Sequence, residues 1–227
     1  MMHTADVLRV FAEHRGDAIV ISGRGGTHWI QISDTALDLP LGDPAMGGHS
    51  GFGLGVALAQ RRKWMVLVDS EGDILMSLGQ LPTIAEQAPA SFYHFILDND
   101  VYATTGGQPV PGAKNVDYAG IARARGHPRA HAFADIQGFE RALPGILAAP
   151  GPVFIALKVL PEVENTPIGQ RVRWRKRSAD KVVSDVRGAL GVGCRRHPPI
   201  GIAVRGLDPR DPCGCQFSRG RPDQLRA

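Results

Sequence analysis

The chain has 227 residues, of which 43% are hydrophobic, enough for one domain with a buried core and some excess. The net charge of +4 is uneven: from Arg187 to Ala227 eight Arg face three Asp, so residues 1–186 are near neutral. This balance argues against a basic nucleic-acid-binding body, and no apolar run approaches the roughly 20 residues of a membrane-spanning helix. The start, Met1-Met2-His3-Thr4-Ala5-Asp6, has no basic region followed by an apolar stretch, so a cytoplasmic protein is expected. Cys194, Cys213 and Cys215 all lie in the tail. The body is therefore expected to lack disulfides, thiolate metal sites and cysteine nucleophiles.

Asp6–His14 reads as a short amphipathic helix stopped near Gly16. Residues 18–22, 65–68, 92–97 and 153–157 are continuous apolar runs of strand length, the mark of parallel strands buried on both faces. Between them, residues 51–60, 74–87, 116–126 and 135–148 read as helices. Such alternation predicts an α/β domain around a mostly parallel sheet, with ligands at the strands' C-terminal ends. The loops after Ile21, Val68 and Leu97 are the places to search. From Arg187 onward, Arg, Gly and Pro supply 20 of 41 residues, and no periodicity remains. That tail is expected to be disordered or loosely attached, following a basic segment over residues 171–186 that contains Arg171, Arg173, Arg175, Lys176 and Arg177.

Two loops concentrate oxygen ligands. The first reads Asp69-Ser70-Glu71-Gly72-Asp73, three carboxylates in five residues between a strand and a helix expected to begin near Ile74. Carboxylates there can recruit a hard cation that bridges to phosphate. The plainer reading is an acidic turn with Asp73 as helix cap. The second begins Asp98-Asn99-Asp100-Val101-Tyr102 and runs to Gln108. Two such loops on sequential strands can converge on one Mg²⁺ held by few protein ligands plus phosphate oxygens.

Together these segments resemble the Gly-Asp-Gly to Asn motif of thiamine diphosphate enzymes. The likeness is to the β subunits of sulfopyruvate decarboxylase and the matching half of phosphonopyruvate decarboxylase. Leu75–Ile84, Leu97-Asp98-Asn99, Tyr102 and Thr104–Gln108 carry it, as do Met46-Gly47 and Gly53–Ala59. It covers about residues 5–165 and implies a three-layer α/β/α thiamine diphosphate-binding domain over residues 1–170.

The resemblance implies the following roles. Glu71, Asn99 and the Val101 carbonyl match the metal ligands. Gly72 and Asp73 fall beside the diphosphate, and Met46 and Gly47 beside the aminopyrimidine. The loop from Gly25 through Thr27 to Ile30 falls where the family places a bulky apolar residue under the cofactor. Trp29 or Ile30 fills that place, and the sequence does not choose between them. The motif departs from the family at Ser70 and Glu71, where Gly and Asp are usual. Glutamate is one methylene longer than aspartate, so Asp69 or Asp73 are the alternative ligands.

The resemblance also implies a glutamate supplied by a separate pyrimidine-binding domain, and the chain is too short to hold that domain. The expectation is thus a thiamine diphosphate- and Mg²⁺-dependent decarboxylase subunit acting on a short anionic 2-oxo acid. It would be active only in a hetero-oligomer of α₂β₂ type with a pyrimidine-domain partner. Two alternatives stand beside it: the β subunit of a 2-oxo acid:ferredoxin oxidoreductase, and a non-catalytic remnant of the fold. The first needs iron–sulfur clusters, which a cysteine-free body does not ligate. His49 and His28 are weighed as phosphate or substrate contacts against structural roles, and His94 as core. The basic stretch at Arg171–Arg177 is expected to be solvated.

Overall fold

The computed structural model describes residues 1–23, 26–41, 46–167, 170 and 176–192. Gly25, Arg171, Arg173, Arg175 and all three cysteines lie outside them. The chain divides into two compact units, Met1–Val186 and Arg187–Ala227. In the second, the described residues finish a helix and form a turn in which the Gly191 N–H donates to the Gly188 carbonyl at 3.1 Å.

The first unit opens with α1 (Thr4–His14), β1 (Ile19–Ser22), α2 (Trp29–Ile32) and β2 (Asp38–Pro40). Next come α3 (His49–Ala59), β3 (Met65–Ser70), α4 (Glu71–Met76), α5 (Gln80–Gln87) and β4 (Phe92–Asp98). A small antiparallel pair follows, β5 (Val101–Tyr102) with β6 (Gln108–Pro109). The series closes with α6 (Tyr118–Ala124), β7 (Arg129–Phe133), α7 (Ile136–Ala148), β8 (Val153–Lys158) and α8 (Ala179–Ala189). Six strands form one sheet in the order β2-β1-β3-β4-β8-β7, and every pairing is parallel. Chain order reverses between β1 and β3, and such a switch opens a crevice at the strands' C-terminal ends.

Burial explains why the central strands were legible. Every residue of β1, and all but the last of β3, β4 and β8, is buried. One face carries Val20, Val66, Val68, Phe95 and Ile155, covered by Leu8 and Phe11 of α1 and Phe139 and Leu143 of α7. On another cluster, Ile96, Phe154 and Ala156 pack against Ile74, Leu81 and Tyr118 of α4, α5 and α6. Helices on both sides of a parallel sheet make the three-layer α/β/α arrangement.

Several elements depart from the sequence-based expectation. The expected helix over 74–87 is two helices, broken at Ser77–Gly79. Its first part starts at Glu71 rather than Ile74, because Ser70 is the N-cap and its Oγ accepts the Asp73 N–H at 3.3 Å. Asp73 is therefore not the cap. Strands β2 and β7 went unread: β2 has three residues, and β7 is an edge strand with no fully buried residue. Arg177 is not solvated. Its guanidinium, 14% exposed, donates to Asp34 at 2.7 Å, Asp185 at 3.2 Å and the Thr35 carbonyl at 2.7 Å. No helix among the described residues is long and apolar enough to cross a membrane.

Candidate functional site

A cavity of about 510 Å³ opens at the C-terminal ends of the central strands. Ser70, Gly72 and Asp73 line it after β3, and Leu97, Asn99, Val101 and Tyr102 at the end of β4 and beyond. Thr27 and His28 enter from the loop after β1, and Leu160, Glu162 and Val163 from the segment after β8. All four contributing strands run parallel, so their C-terminal loops necessarily share one edge of the sheet.

The loops after β3 and β4 meet through one hydrogen bond. The Asn99 N–H donates to Glu71 Oε1 at 3.0 Å. Glu71 is fully buried, and its other oxygen, Oε2, has no hydrogen-bond partner among the described residues. Burial pushes its pKa up to about 7, although the Asn99 N–H pulls the other way. A buried carboxylate oxygen without a donor is costly, and a hard cation would satisfy it. Asn99 Oδ1 accepts the Val101 N–H at 2.9 Å, closing a tight turn with Asp100 at φ +69. Asp tolerates the left-handed region better than most residues. Lys158 secures that turn, with Nζ donating to Asp100 at 2.6 Å and Asp98 at 3.1 Å. Asn99 and Val101 thus sit on a braced turn that lines the cavity. Glu71 does not itself line the cavity, and a carboxylate, an amide oxygen and a carbonyl are the donor types that Mg²⁺ takes.

Gly72 occupies a position where side chains are excluded. A Cβ there would lie 2.8 Å from the Tyr102 ring. Asp73 lines the cavity but turns its carboxylate inward, with Oδ1 accepting the Gly47 N–H at 3.1 Å. Its Oδ2 lies 3.5 Å from Nδ1 of His49. Met46 lines the cavity and is half exposed, whereas Gly47 stands behind it in the wall at φ +71.

The loop after β1 distributes its residues differently from the expectation. Thr27 and His28 line the cavity, but neither Trp29 nor Ile30 does. Trp29 is 1% exposed, packs on Phe11 with centroids 5.2 Å apart, and donates Nε1–H to Asp38 at 2.9 Å. That ring belongs to the core. Ile30 is half-buried on the same short helix.

The histidines separate cleanly. His28 faces the cavity with Nε2 2.8 Å from Glu162. His49 does not reach it. At 1% exposure it lies between Asp69 and Asp73, with Nδ1 3.3 Å from the former, and these three residues bring one ligand atom each within 4.8 Å of one another. Burial disfavours its charged form, but Asp69 and Asp73 outweigh burial and push the pKa up to about 9. Asp69, at the end of β3, is buried against His49 and, at 3.8 Å, against His94. Both Asp69 and Asp73 are thus directed toward His49. Sequence reading missed Glu162 and Met76, both on the cavity. Glu162 follows a buried strand, so the strand-end rule that flagged the other loops applies to it equally.

Comparison with known proteins places these features in context. Residues 26–157 match the family model described as "Thiamine pyrophosphate enzyme, C-terminal TPP binding domain". Phosphonopyruvate decarboxylase of Streptomyces hygroscopicus is 43% identical over 117 residues, covering 52% of this chain and 29% of that protein. The β subunit of sulfopyruvate decarboxylase from Methanothermobacter thermautotrophicus is 38% identical over 145 residues, 64% of this chain and 74% of the subunit. The chain therefore spans less than a third of the first relative but most of the second. Among solved structures, a thiamin diphosphate-dependent enzyme from Mycobacterium smegmatis superposes with a TM-score of 0.60 at 22% identity, covering 70% of this chain and 32% of that one.

Proposed function

This chain belongs to the thiamine pyrophosphate enzymes, whose C-terminal TPP-binding domain it carries, and from that premise we propose that it is the cofactor-binding subunit of a 2-oxo acid decarboxylase. The observation that carries the reading is the meeting of Glu71 and Asn99 at adjacent strand ends, beside a cavity large enough for a cofactor. Glu71 Oε2, Asn99 Oδ1 and the Val101 carbonyl would hold Mg²⁺ on the diphosphate. Gly72 would let the diphosphate approach the backbone closely. The wall bearing Met46 would take the aminopyrimidine, and Thr27 would meet the cofactor from the loop after β1. When bound, thiamine diphosphate supplies the electron sink for loss of CO₂ from a 2-oxo acid.

The relatives named above suggest a short anionic substrate such as sulfopyruvate or phosphonopyruvate. The relative called a β subunit suggests that this chain also works with a second subunit. That partner would bring the pyrimidine-binding domain and its glutamate, in a hetero-oligomer, and the reading places both in the cytoplasm. Titration calorimetry of the full chain with thiamine diphosphate and Mg²⁺ should show metal-dependent binding. CO₂ release from either acid should appear only on co-expression with a pyrimidine-domain chain. Absence of any cofactor binding would overturn the reading, and turnover by the purified chain alone would remove the partner from it.

A further inference from the structure

One residue behind the cavity wall, Gly47, is held at both of its backbone polar atoms by side chains. The Gly47 N–H donates to Asp73 Oδ1 at 3.1 Å, and the Gly47 carbonyl accepts from Gln80 Nε2 at 2.6 Å. The position admits little else. At φ +71, a Cβ on Gly47 would lie 3.0 Å from both Met76 Cβ and Ser77 Oγ. Each holding group is itself held. Ser50 Oγ donates to Gln80 Oε1 at 2.6 Å, while His49 stands 3.5 Å from the Asp73 carboxylate with Asp69 behind it at 3.3 Å. His49 and Ser50 open α3, Asp73 belongs to α4 and Gln80 opens α5. Three helices are thus tied through one turn.

The division of labour is clear from the lining. Met46, Asp73 and Met76 face the cavity, whereas His49, Ser50 and Gln80 do not. The latter three reach the groups that support it. A turn that must be ordered when a ligand binds weakens the binding by its lost freedom, and one fixed in advance does not.

We propose that Gln80, braced by Ser50, is a positioning residue that sets the Met46–Gly47 turn against the first turn of α4, so that the two walls of the cavity are presented as one rigid unit. The proposal rests on the reading that this cavity takes thiamine diphosphate. Inorganic pyrophosphate would touch only the wall formed by the loops after β3 and β4. The whole cofactor would touch both walls, so the two ligands separate the positioning role from a general loss of structure.

The test is calorimetry on the full chain with Mg²⁺, titrating thiamine diphosphate and, separately, inorganic pyrophosphate. Gln80→Met keeps the length of the side chain and removes both of its hydrogen bonds. Thiamine diphosphate affinity should fall about tenfold, while pyrophosphate affinity should stay within about twofold of the unaltered chain. Ser50→Ala should move affinity the same way by less, and it guards against a Gln80 variant that fails to fold. Equal losses for the two ligands, or undiminished cofactor affinity in both variants, would overturn the proposal. Failure of the unaltered chain to bind thiamine diphosphate would overturn the functional reading beneath it instead.

Discussion

Oε1 of Glu71 accepts the backbone N–H of Asn99 at 3.0 Å, so the carboxylate after β3 and the amide after β4 stand side by side. The parallel pairing of β3 with β4, in register from Met65–Phe92 to Ser70–Leu97, brings them there. The longer glutamate reaches across to the neighbouring loop with one oxygen and leaves the other without a hydrogen-bond partner among the described residues.

That relationship predicts the metal dependence of binding. Asn99→Ala removes the amide oxygen but leaves the N–H bonded to Glu71. Thiamine diphosphate affinity in Mg²⁺ should drop more than tenfold, equivalent to more than about 1.4 kcal/mol. Glu71→Gln removes the charge at nearly constant shape and should abolish the difference between titrations with and without Mg²⁺. Wild-type affinity in both variants, measured by calorimetry, would remove these residues from the site.

Gly47 offers a backbone test. Its φ of +71 and the 3.0 Å approaches of Met76 and Ser77 leave no room for a side chain. Gly47→Ala should destabilise the fold by about 1–3 kcal/mol. Chemical denaturation should show a lower midpoint at unchanged slope, since compactness is not altered. An unshifted midpoint would mean that the turn relaxes freely.

His127 predicts a pH dependence. It is 4% exposed, packs edge-on to Phe154 and has no partner on either ring nitrogen among the described residues. Burial, with a smaller contribution from His94, pulls its pKa down to about 4. The unfolded imidazole takes up a proton near pH 6.5 and the folded one only near 4. Its stabilising contribution is therefore complete above about pH 6.5 and is lost progressively as the pH falls toward 4. Loss of up to about 3 kcal/mol across that window is expected. His127→Phe should flatten the stability profile there, and an equally steep profile in the variant would assign the slope to other groups.

The tail supplies a test by deletion. Residues 193–227 lie outside the described structure, and their Arg-, Gly- and Pro-rich sequence lacks the periodicity of a packed element. A chain ending at Val192 keeps all of α8, including buried Val182 and Val186. It should melt at the same temperature as the full chain and bind thiamine diphosphate equally well. A fall of several degrees on differential scanning calorimetry would show that the tail packs on the domain.

The sequence alone determined the fold class, because strands buried on both faces must be apolar throughout. Four such runs separated by helices leave few architectures besides a parallel sheet covered on both sides. It also determined where to look, since ligand loops of a parallel sheet follow the strands' C-terminal ends. Edge and short elements escaped it for the same reason in reverse: β7 has no fully buried residue, and β2 has too few residues to form a pattern.

What only the tertiary structure decided is where side chains of similar chemistry point. Among Asp69, Glu71 and Asp73, the family resemblance favoured Glu71 as the metal ligand but left the other two as alternatives. The β3–α4 junction turns Asp69 and Asp73 toward His49 and Glu71 toward Asn99. Trp29 and Ile30 are both bulky and apolar, yet the Trp29 indole is drawn into the core by Phe11 and by its bond to Asp38. Gln80 carries no signal in the chain at all. Its role arises because α3 and α5 pack so that Ser50 and the Gly47 carbonyl converge on one amide, and convergence between segments 30 and 33 residues apart is a property of packing, which local sequence does not encode.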